Sequence, residues 1–496
     1  MIEYHGIFEF IAFVLILILI VKPLGLYIKK VISGEKTFLD ALCRPVENGI
    51  YRCCRIDSKS EQNWKQYASS VLFFSFFGFI FLFLLQCFQY YLPLNPEKLN
   101  NVPAVLSFNT AVSFITNTNW QAYSGESTVS YLVQMAGLAV QNFVSGATGM
   151  AVAIALTRAF ARKNTDKLGN FWVDLTRCIL WVLLPLSVIV SIFYIAQGIP
   201  QNISHYILAN TLDAGKQIIA QGPVATQEAI KSIGTNGGGF FGANSMHPYE
   251  NPNALTNFVQ CLTIFAIPAA LTYTFGLMVK SRRQGWTIFI AMLIMFVGLS
   301  ALMYTSDYRA NPQINKITQV ERNHSGMVSN MEGKETRLGV SSTLLYASVT
   351  TSASDGGVSG QMETLNPLAS GIAMLNMALG EIIMGGVGTG LYNMIMFILL
   401  TVFIAGLMVG RSPEFLGKKL GVTEMKWVMI ALLVSPFCAI FFTALACVLP
   451  SVSKELAVYG PHGFSRLLYA FISASNNNGS AFAALNATCS PSKSNS

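Results

Sequence analysis

Apolar and polar positions follow one another in this chain as long blocks, without the short period of an amphipathic helix or strand. About 20 consecutive apolar residues cross the roughly 30 Å of hydrocarbon in a bilayer. Runs of that order fall at 7–27, 68–92, 130–157, 171–197, 254–279, 286–305, 371–409 and 427–450, and each predicts a membrane helix. In the first, the stretch from Phe8 to Val21 has the look of a signal peptide, but Lys22-Pro23-Leu24-Gly25 follows in place of a small-x-small cleavage site. A retained anchor helix is therefore expected. The run 371–409 is too long for one plain span, and Gly385, Gly386, Gly388 and Gly390 within it predict a helix broken partway through the membrane.

The polar blocks between the runs orient the chain. If the N-terminus starts outside, the inside loops 28–66, 158–170, 280–285 and 410–426 hold 19 Lys and Arg in 75 positions. The outside segments 93–129, 198–253, 306–367 and 451–496 hold 11 in 201. Basic residues concentrate on the cytoplasmic side, so the N-terminus is expected outside, with short basic loops in the cytoplasm.

Each long outside segment contains a short apolar stretch running into small polar residues: FNTAVSFITNTNWQ (108–121), QEAIKSIGTNGGGFF (227–241), TLLYASVTTSASDGGV (343–358) and RLLYAFISASNNNGSAF (466–482). Aligning Asn119, Gly237, Gly356 and Gly479 gives spacings of 118, 119 and 123 residues. Such a period marks an internal repeat built as membrane helix, half-helix with polar loop, membrane helix. The chain divides into a flanking helix at 1–28 and repeats at 68–157, 171–279, 286–409 and 427–496. Irregular backbone is tolerated at membrane depth only where protein buries it or a water-filled cavity receives it. Glycine and small residues let carbonyls turn toward a common axis. A ring of carbonyls there replaces the hydration shell of a cation, and half-helix C-termini aimed at the centre add negative partial charge. The clusters carry one carboxylate, Asp355. Neutral coordination of this kind suits a large, weakly hydrated monovalent ion, with potassium the natural choice.

Composition narrows the class further. Hydrophobic residues make up 52% and charged residues 11%, where a soluble domain carries about 25% charged. An ordinary cytosolic enzyme, a nucleic-acid binder and a disordered scaffold are excluded, and the net charge of +8 is an orientation signal. The nine cysteines, 43, 53, 54, 87, 178, 261, 438, 447 and 489, show neither CxxC pairs nor metal-ligand spacing, so buried free thiols are expected. The five histidines, 5, 205, 247, 324 and 462, stand apart and suggest no metal or catalytic site. GTNGGGFFG follows no strand and so lacks the context of a nucleotide fingerprint. Neither GxxxxGK[ST] nor the DKTGT string of P-type pumps occurs, so no catalytic residues are expected in this chain.

Long strings resemble the potassium-binding A subunit family of the bacterial Kdp potassium-uptake ATPase: NWKQY (63–67), YLPLNP (91–96), FNTAVSFITNTNWQAYSGE (108–126), QMAGLAVQNF (134–143), GTNGGGFFGANSMHPYENP (234–252), NMEGKETRLG (330–339), GGVGTGLY (385–392), GLMVGRSPEFLGKK (406–419), GPHGFS (460–465) and NNNGSAF (476–482). The resemblance implies an all-α polytopic fold of four membrane–pore–membrane repeats, like that of the potassium channel and transporter superfamily. It also implies a potassium-selectivity filter at Asn117, Thr118, Asn119, Thr235, Asn236, Gly237, Ser354, Asp355, Gly356, Asn477, Asn478 and Gly479, with Gln121 tied to ion selectivity. Gly385, Gly386, Gly388 and Gly390 would form an intramembrane gating loop. The implied partners are a P-type ATPase subunit, which uses ATP and Mg2+, and two small membrane subunits. Potassium is the substrate, this chain carries no cofactor, and no nucleic acid is involved.

Two departures from the family stand out. Asp355 occupies a position where well-known members have a neutral Cys. After Gly479 only 17 residues remain, ending LNATCSPSKSNS, so the last repeat is expected to be incomplete, without its return helix, as in a frameshifted or prematurely ended product. An ATP-independent channel or symporter of the same superfamily and a non-functional truncated subunit are the alternative readings. Asp174 and Arg177, at i and i+3, suggest a structural ion pair. Glu381 is an intramembrane carboxylate and so a functional candidate, with a packing role equally open. Arg411, Lys418, Lys419 and Lys426 either report orientation alone or also meet the partner pump.

Overall fold

With no water inside a bilayer, a spanning segment must satisfy its own backbone, and the long apolar blocks of this chain, 371–409 apart, do so as single helices. A computed structural model describes residues 4–163, 165–213, 215–309, 329–449, 452 and 460–482. Among them, eight helices are long and apolar enough to cross a membrane. They are α1 (Tyr4–Ile32), α3 (Trp64–Cys87), α5 (Val133–Ala161), α6 (Phe171–Ala196), α8 (Ala254–Met278), α9 (Arg282–Asp307), α12 (Thr389–Met408) and α13 (Val422–Val448). The protein is therefore a multi-pass membrane protein. An amphipathic helix, α2 (Asp40–Cys53), lies between α1 and α3.

Three shorter helices sit between spans, α4 (Ala104–Ile115), α7 (Val224–Gly234) and α10 (Gly339–Ala353), and a fourth, α14 (Gly460–Ser475), follows α13. At 11 to 16 residues each falls short of the roughly 20 that a crossing requires. The long run 371–409 resolves into α11 (Pro367–Ala378), an irregular segment, and α12. Gly388 caps α12 with φ 100°, whereas Gly390 falls inside its first turn, so the loop is shorter than its glycine pattern suggests. The polar tail expected to lack a return helix lies outside the described residues from 483 onward.

Helix starts follow local chemistry. Asn63 accepts from the amide of Gln66 and Gln66 accepts from that of Asn63, both at 3.0 Å, which closes the first turn of α3. Asn253 and Thr256 do the same for α8. Burial then separates lipid-facing from central helices: 6% of the apolar window of α3 is buried within the protein, against 72% for α8. Against α8 packs α1, where Phe13 meets Phe258 and Phe265. The contact is close enough that a Cβ on Gly25 would lie 2.8 Å from the carbonyl of Ala270. Small residues permit this backbone approach in membrane interfaces.

Asp174 and Arg177 do not pair with each other. The Arg158 guanidinium binds Asp174 in a two-pronged pair at 2.6 and 2.7 Å, and Tyr67 donates to the same carboxylate at 3.1 Å. Arg177 instead reaches Glu47 on α2 at 3.0 Å, and Trp181 donates to the other oxygen of Glu47 at 3.1 Å. Both side chains turn toward charged partners on neighbouring helices, and a planar bidentate pair outweighs a flexible i,i+3 contact. The thiols are all free among the eight described, but only Cys43, Cys178 and Cys261 are buried; Cys53, Cys54 and Cys447 are exposed, which corrects the expectation of general burial.

Candidate functional site

The short helices α4, α7, α10 and α14 end at equivalent points and aim their C-termini at one another. Four residues before the first residue of each polar loop stand Ser113, Lys231, Thr350 and Ser473. Their carbonyls accept the amides of Thr118, Asn236, Asp355 and Asn478 at 3.1, 3.0, 3.0 and 2.8 Å. The same five-residue closure thus ends all four helices.

The loops that follow are held in an unusual backbone. Asn117, Thr235, Ser354 and Asn477, the first residue of each loop, are all left-handed, with φ between 50° and 70°. Asn119, Gly356 and Gly479 are left-handed again two residues later, at 54°, 96° and 97°. Alternating left- and right-handed residues turn successive peptide planes the same way, so their carbonyls share one side. For Thr235, β-branched, this conformation costs on the order of 1–3 kcal/mol, so the surrounding structure must enforce it.

Gly237 shows where the loops meet. A Cβ on it would lie 2.7 Å from the carbonyl oxygen of Thr118, 2.9 Å from that of Asn478 and 3.0 Å from that of Asp355. The middle carbonyls of the other three loops converge there, leaving room for no side chain. Gly356 and Gly479 are similarly crowded by the carbonyls of Asn478 and Thr118.

Side chains brace this ring from behind. Asn117 donates to the carbonyl of Thr235 at 2.9 Å and accepts from Asn236 at 2.5 Å and Ser145 at 2.6 Å. Thr118 donates to Asn477 at 2.6 Å, and Asn478 to the carbonyl of Thr350 at 2.9 Å. Asn119 bonds Asn142 on α5, and Gln121 donates to the carbonyl of Gly239 at 2.7 Å. Thr350 and Ser473 accept the amides of Gly356 and Gly479 through their hydroxyls, each at 3.0 Å. The Asp355 carboxylate accepts the amide of Gly357 at 2.9 Å, while its other oxygen is buried and accepts no hydrogen bond among the described residues.

Beneath the second loop lies the break between α11 and α12. The amide of Val387 donates to the Thr235 hydroxyl at 2.9 Å, and Glu381, itself left-handed at φ 63°, accepts from Gly386 at 3.1 Å. Glu381 therefore holds the irregular segment in shape. Of the glycines expected to form a gating loop, Gly386 and Gly388 lie against the second loop and α5, while Gly385 packs on Glu381 within the segment. Arg411, Lys418, Lys419 and Lys426 are at the opposite end of α12 and the start of α13, remote from the ring.

Sequence reasoning missed a buried charge cluster behind the second loop. The Lys231 ammonium contacts Glu228 at 2.7 Å, Glu250 at 3.5 Å, and Asn244 and Ser245 at 2.9 Å each. Glu250 in turn accepts the amide of Phe241 at 2.8 Å. The signal was present in QEAIKSIG, where opposite charges at i and i+3 interrupt a helix too short to span. Farther out, His247 stacks on Phe241 with ring centres 3.8 Å apart and accepts from the amide of Tyr249 at 3.1 Å. Burial, with the Arg337 guanidinium nearby, pushes His247 down to about 4.

Comparison with known proteins agrees with this architecture. The family described as potassium-transporting ATPase A subunit, KdpA, matches residues 11–492. A relative from Francisella philomiragia, named potassium-transporting ATPase potassium-binding subunit, is 52% identical over 482 residues, covering 97% of this chain and 84% of its own length. One of the same name from Brucella anthropi is 52% identical over 481 residues, with the same coverage of both. Among solved structures, the potassium transporter TrkH from Vibrio parahaemolyticus superposes with a TM-score of 0.52 at 11% identity, over 98% of this chain and 93% of that one, a likeness of fold. A family match across nearly the whole chain, with relatives at 52% identity, makes this protein a member of the KdpA family of potassium-transporting ATPase A subunits.

Proposed function

We propose that this chain is the potassium-binding and translocating subunit of an ATP-driven potassium-uptake complex, selecting the ion in the ring formed by its four polar loops. The observation that carries the reading is the convergence of the Thr118, Asp355 and Asn478 carbonyls on Gly237. A potassium ion entering from outside exchanges its water shell for carbonyl oxygens held at fixed spacing. Negative partial charge at the four helix C-termini favours a cation there. The braces on Asn117, Asn119 and Asn478 keep the ring from collapsing onto a smaller ion. The segment 379–388 beneath the second loop interrupts the straight path across the membrane, so the ion leaves sideways toward a partner. That partner is a P-type ATPase subunit, which supplies ATP hydrolysis with Mg2+, and two small membrane subunits complete the complex. The N-terminus faces outward in the bacterial inner membrane.

The test is reconstitution. Purified with an ATPase partner, the chain is expected to give potassium-stimulated ATP hydrolysis and ATP-dependent uptake into liposomes. Robust potassium flux through the chain alone, without ATP, would instead identify a channel or symporter and sink the proposal.

A further inference from the structure

The second loop is the odd corner of the ring, in two respects that coincide. In loops three and four, the hydroxyls of Thr350 and Ser473 hold the amide of the third loop residue, and that residue is left-handed. In loop one the third residue, Asn119, is also left-handed, its amide taken by the carbonyl of Ser113 at 3.1 Å. In loop two the equivalent helix residue is Lys231, whose ammonium has three donors and no acceptor. There the left-handed position moves one residue on, to Gly238 with φ 74°.

Lys231 is not idle. Its ammonium donates to Oδ1 of Asn244 at 2.9 Å, which fixes the amide of Asn244 so that its Nδ2 faces and donates to the carbonyl of Gly238. Glu228 and Glu250 hold the ammonium in place from two sides, and Ser245, bonded to both Lys231 and Glu228, also accepts from Tyr346 on α10 at 3.1 Å. The chain Lys231–Asn244–Gly238 therefore draws one carbonyl of the second loop outward, while Gly237 stays against the carbonyls of the other three loops.

Resting on the filter reading above, we propose that Lys231 is a positioning residue for ion selection. Through Asn244 it sets the backbone of the second loop, so that the ring has three similar corners and one distinct one, and the size of ion it accepts depends on that asymmetry. Lys231 does not touch the ion. Glu228 and Glu250 hold its ammonium within its own cluster, and its influence passes through backbone geometry.

The experiment uses the assembled complex and reads the concentrations of K+ and of Rb+ that half-saturate ATP hydrolysis. Lys231→Met is expected to raise the half-saturating K+ concentration about tenfold and to shrink the preference for K+ over Rb+. Because one missing partner strands two buried carboxylates, the triple variant E228Q/K231M/E250Q is measured beside it and is expected to show the same lost preference. Asn244→Ala, which keeps Lys231 and cuts the link to Gly238, shifts the preference in the same direction. Parental K+ affinity and K+/Rb+ preference in the triple variant would overturn the proposal. Gly237→Ala separates the two levels: if it alters ion preference while K231M and the triple variant do not, the role of Lys231 fails and the filter stands. If it also leaves preference unchanged, the filter reading itself fails.

Discussion

Asn236 donates from Nδ2 to Oδ1 of Asn117 across 2.5 Å, joining two loops whose residues stand 119 positions apart. Asn117 answers by donating to the carbonyl of Thr235, so one asparagine on the first loop fixes both the side chain and the backbone of the second. Replacing Asn117 with Leu leaves Asn236, Ser145 and the Thr235 carbonyl short of a partner, at a cost of about 1–3 kcal/mol for each buried group stranded. We predict reduced thermal stability and weaker potassium activation of the assembled complex for Asn117→Leu. A double-mutant cycle with Asn236→Leu is expected to show strong coupling, and additive effects would rule out the bracing role.

At Gly237 the expectation is sharper, because the space for a Cβ is already bounded by three carbonyl oxygens. Gly237→Asp adds bulk and negative charge at that point. Potassium affinity of the complex is predicted to fall by at least about tenfold and discrimination against rubidium to drop. Parental values for both in a fully assembled complex would contradict the convergence of the loops at this residue.

Much of this architecture was legible in the chain. Lipid forces backbone bonds into helices, so the spans announce themselves as apolar blocks, and repetition at 118 to 123 residues marks the four short loops as equivalent. What could not be read were partners chosen across the fold. Asp174 has Arg177 three residues on, yet it binds Arg158, because only folding reveals that α5 and α6 lie side by side. A ring of loop carbonyls is legible in the sequence, but the roles of the loop asparagine side chains are not: they bond Asn142 on α5, Asn117 of the first loop and the Thr350 carbonyl on α10. Lys231 was visible as a charge but not as the member of a fourfold-equivalent position, since its three counterparts are hydroxyl residues.

The Arg158–Asp174 pair gives a prediction about stability alone. Asp174→Ala leaves a nearly buried guanidinium without its carboxylate, a change that costs about 3–5 kcal/mol in buried pairs. The melting temperature of the purified protein should fall clearly, whereas Arg158→Met combined with Asp174→Leu should recover much of the loss. A double variant as unstable as the single one would show that hydrogen bonding from Tyr67, more than charge balance, dominates at this site.

His247 predicts a pH effect. Its folded value near 4 lies below the ordinary 6.5, so the unfolded chain binds this proton more readily. The stability it contributes is complete above about pH 6.5 and is lost as pH falls from there toward 4. Melting curves of the parent should therefore drop more steeply than those of His247→Phe over this window. Parallel curves would mean that His247 carries no such linkage.

Thr235 links the ring to the segment below it. Thr235→Val removes the acceptor for the Val387 amide, while Thr235→Ser keeps it. We expect the valine variant to uncouple ATP hydrolysis from potassium uptake and the serine variant to remain coupled. Equal coupling ratios in both would show that this contact does not position the segment.

The hydrogen bond from Thr118 to Asn477 spans 359 residues of chain. A ring closed by such a bond cannot exist while the protein is being made. Until the fourth loop has been made, the ring stays open on one side. The last loop to leave the ribosome completes the first.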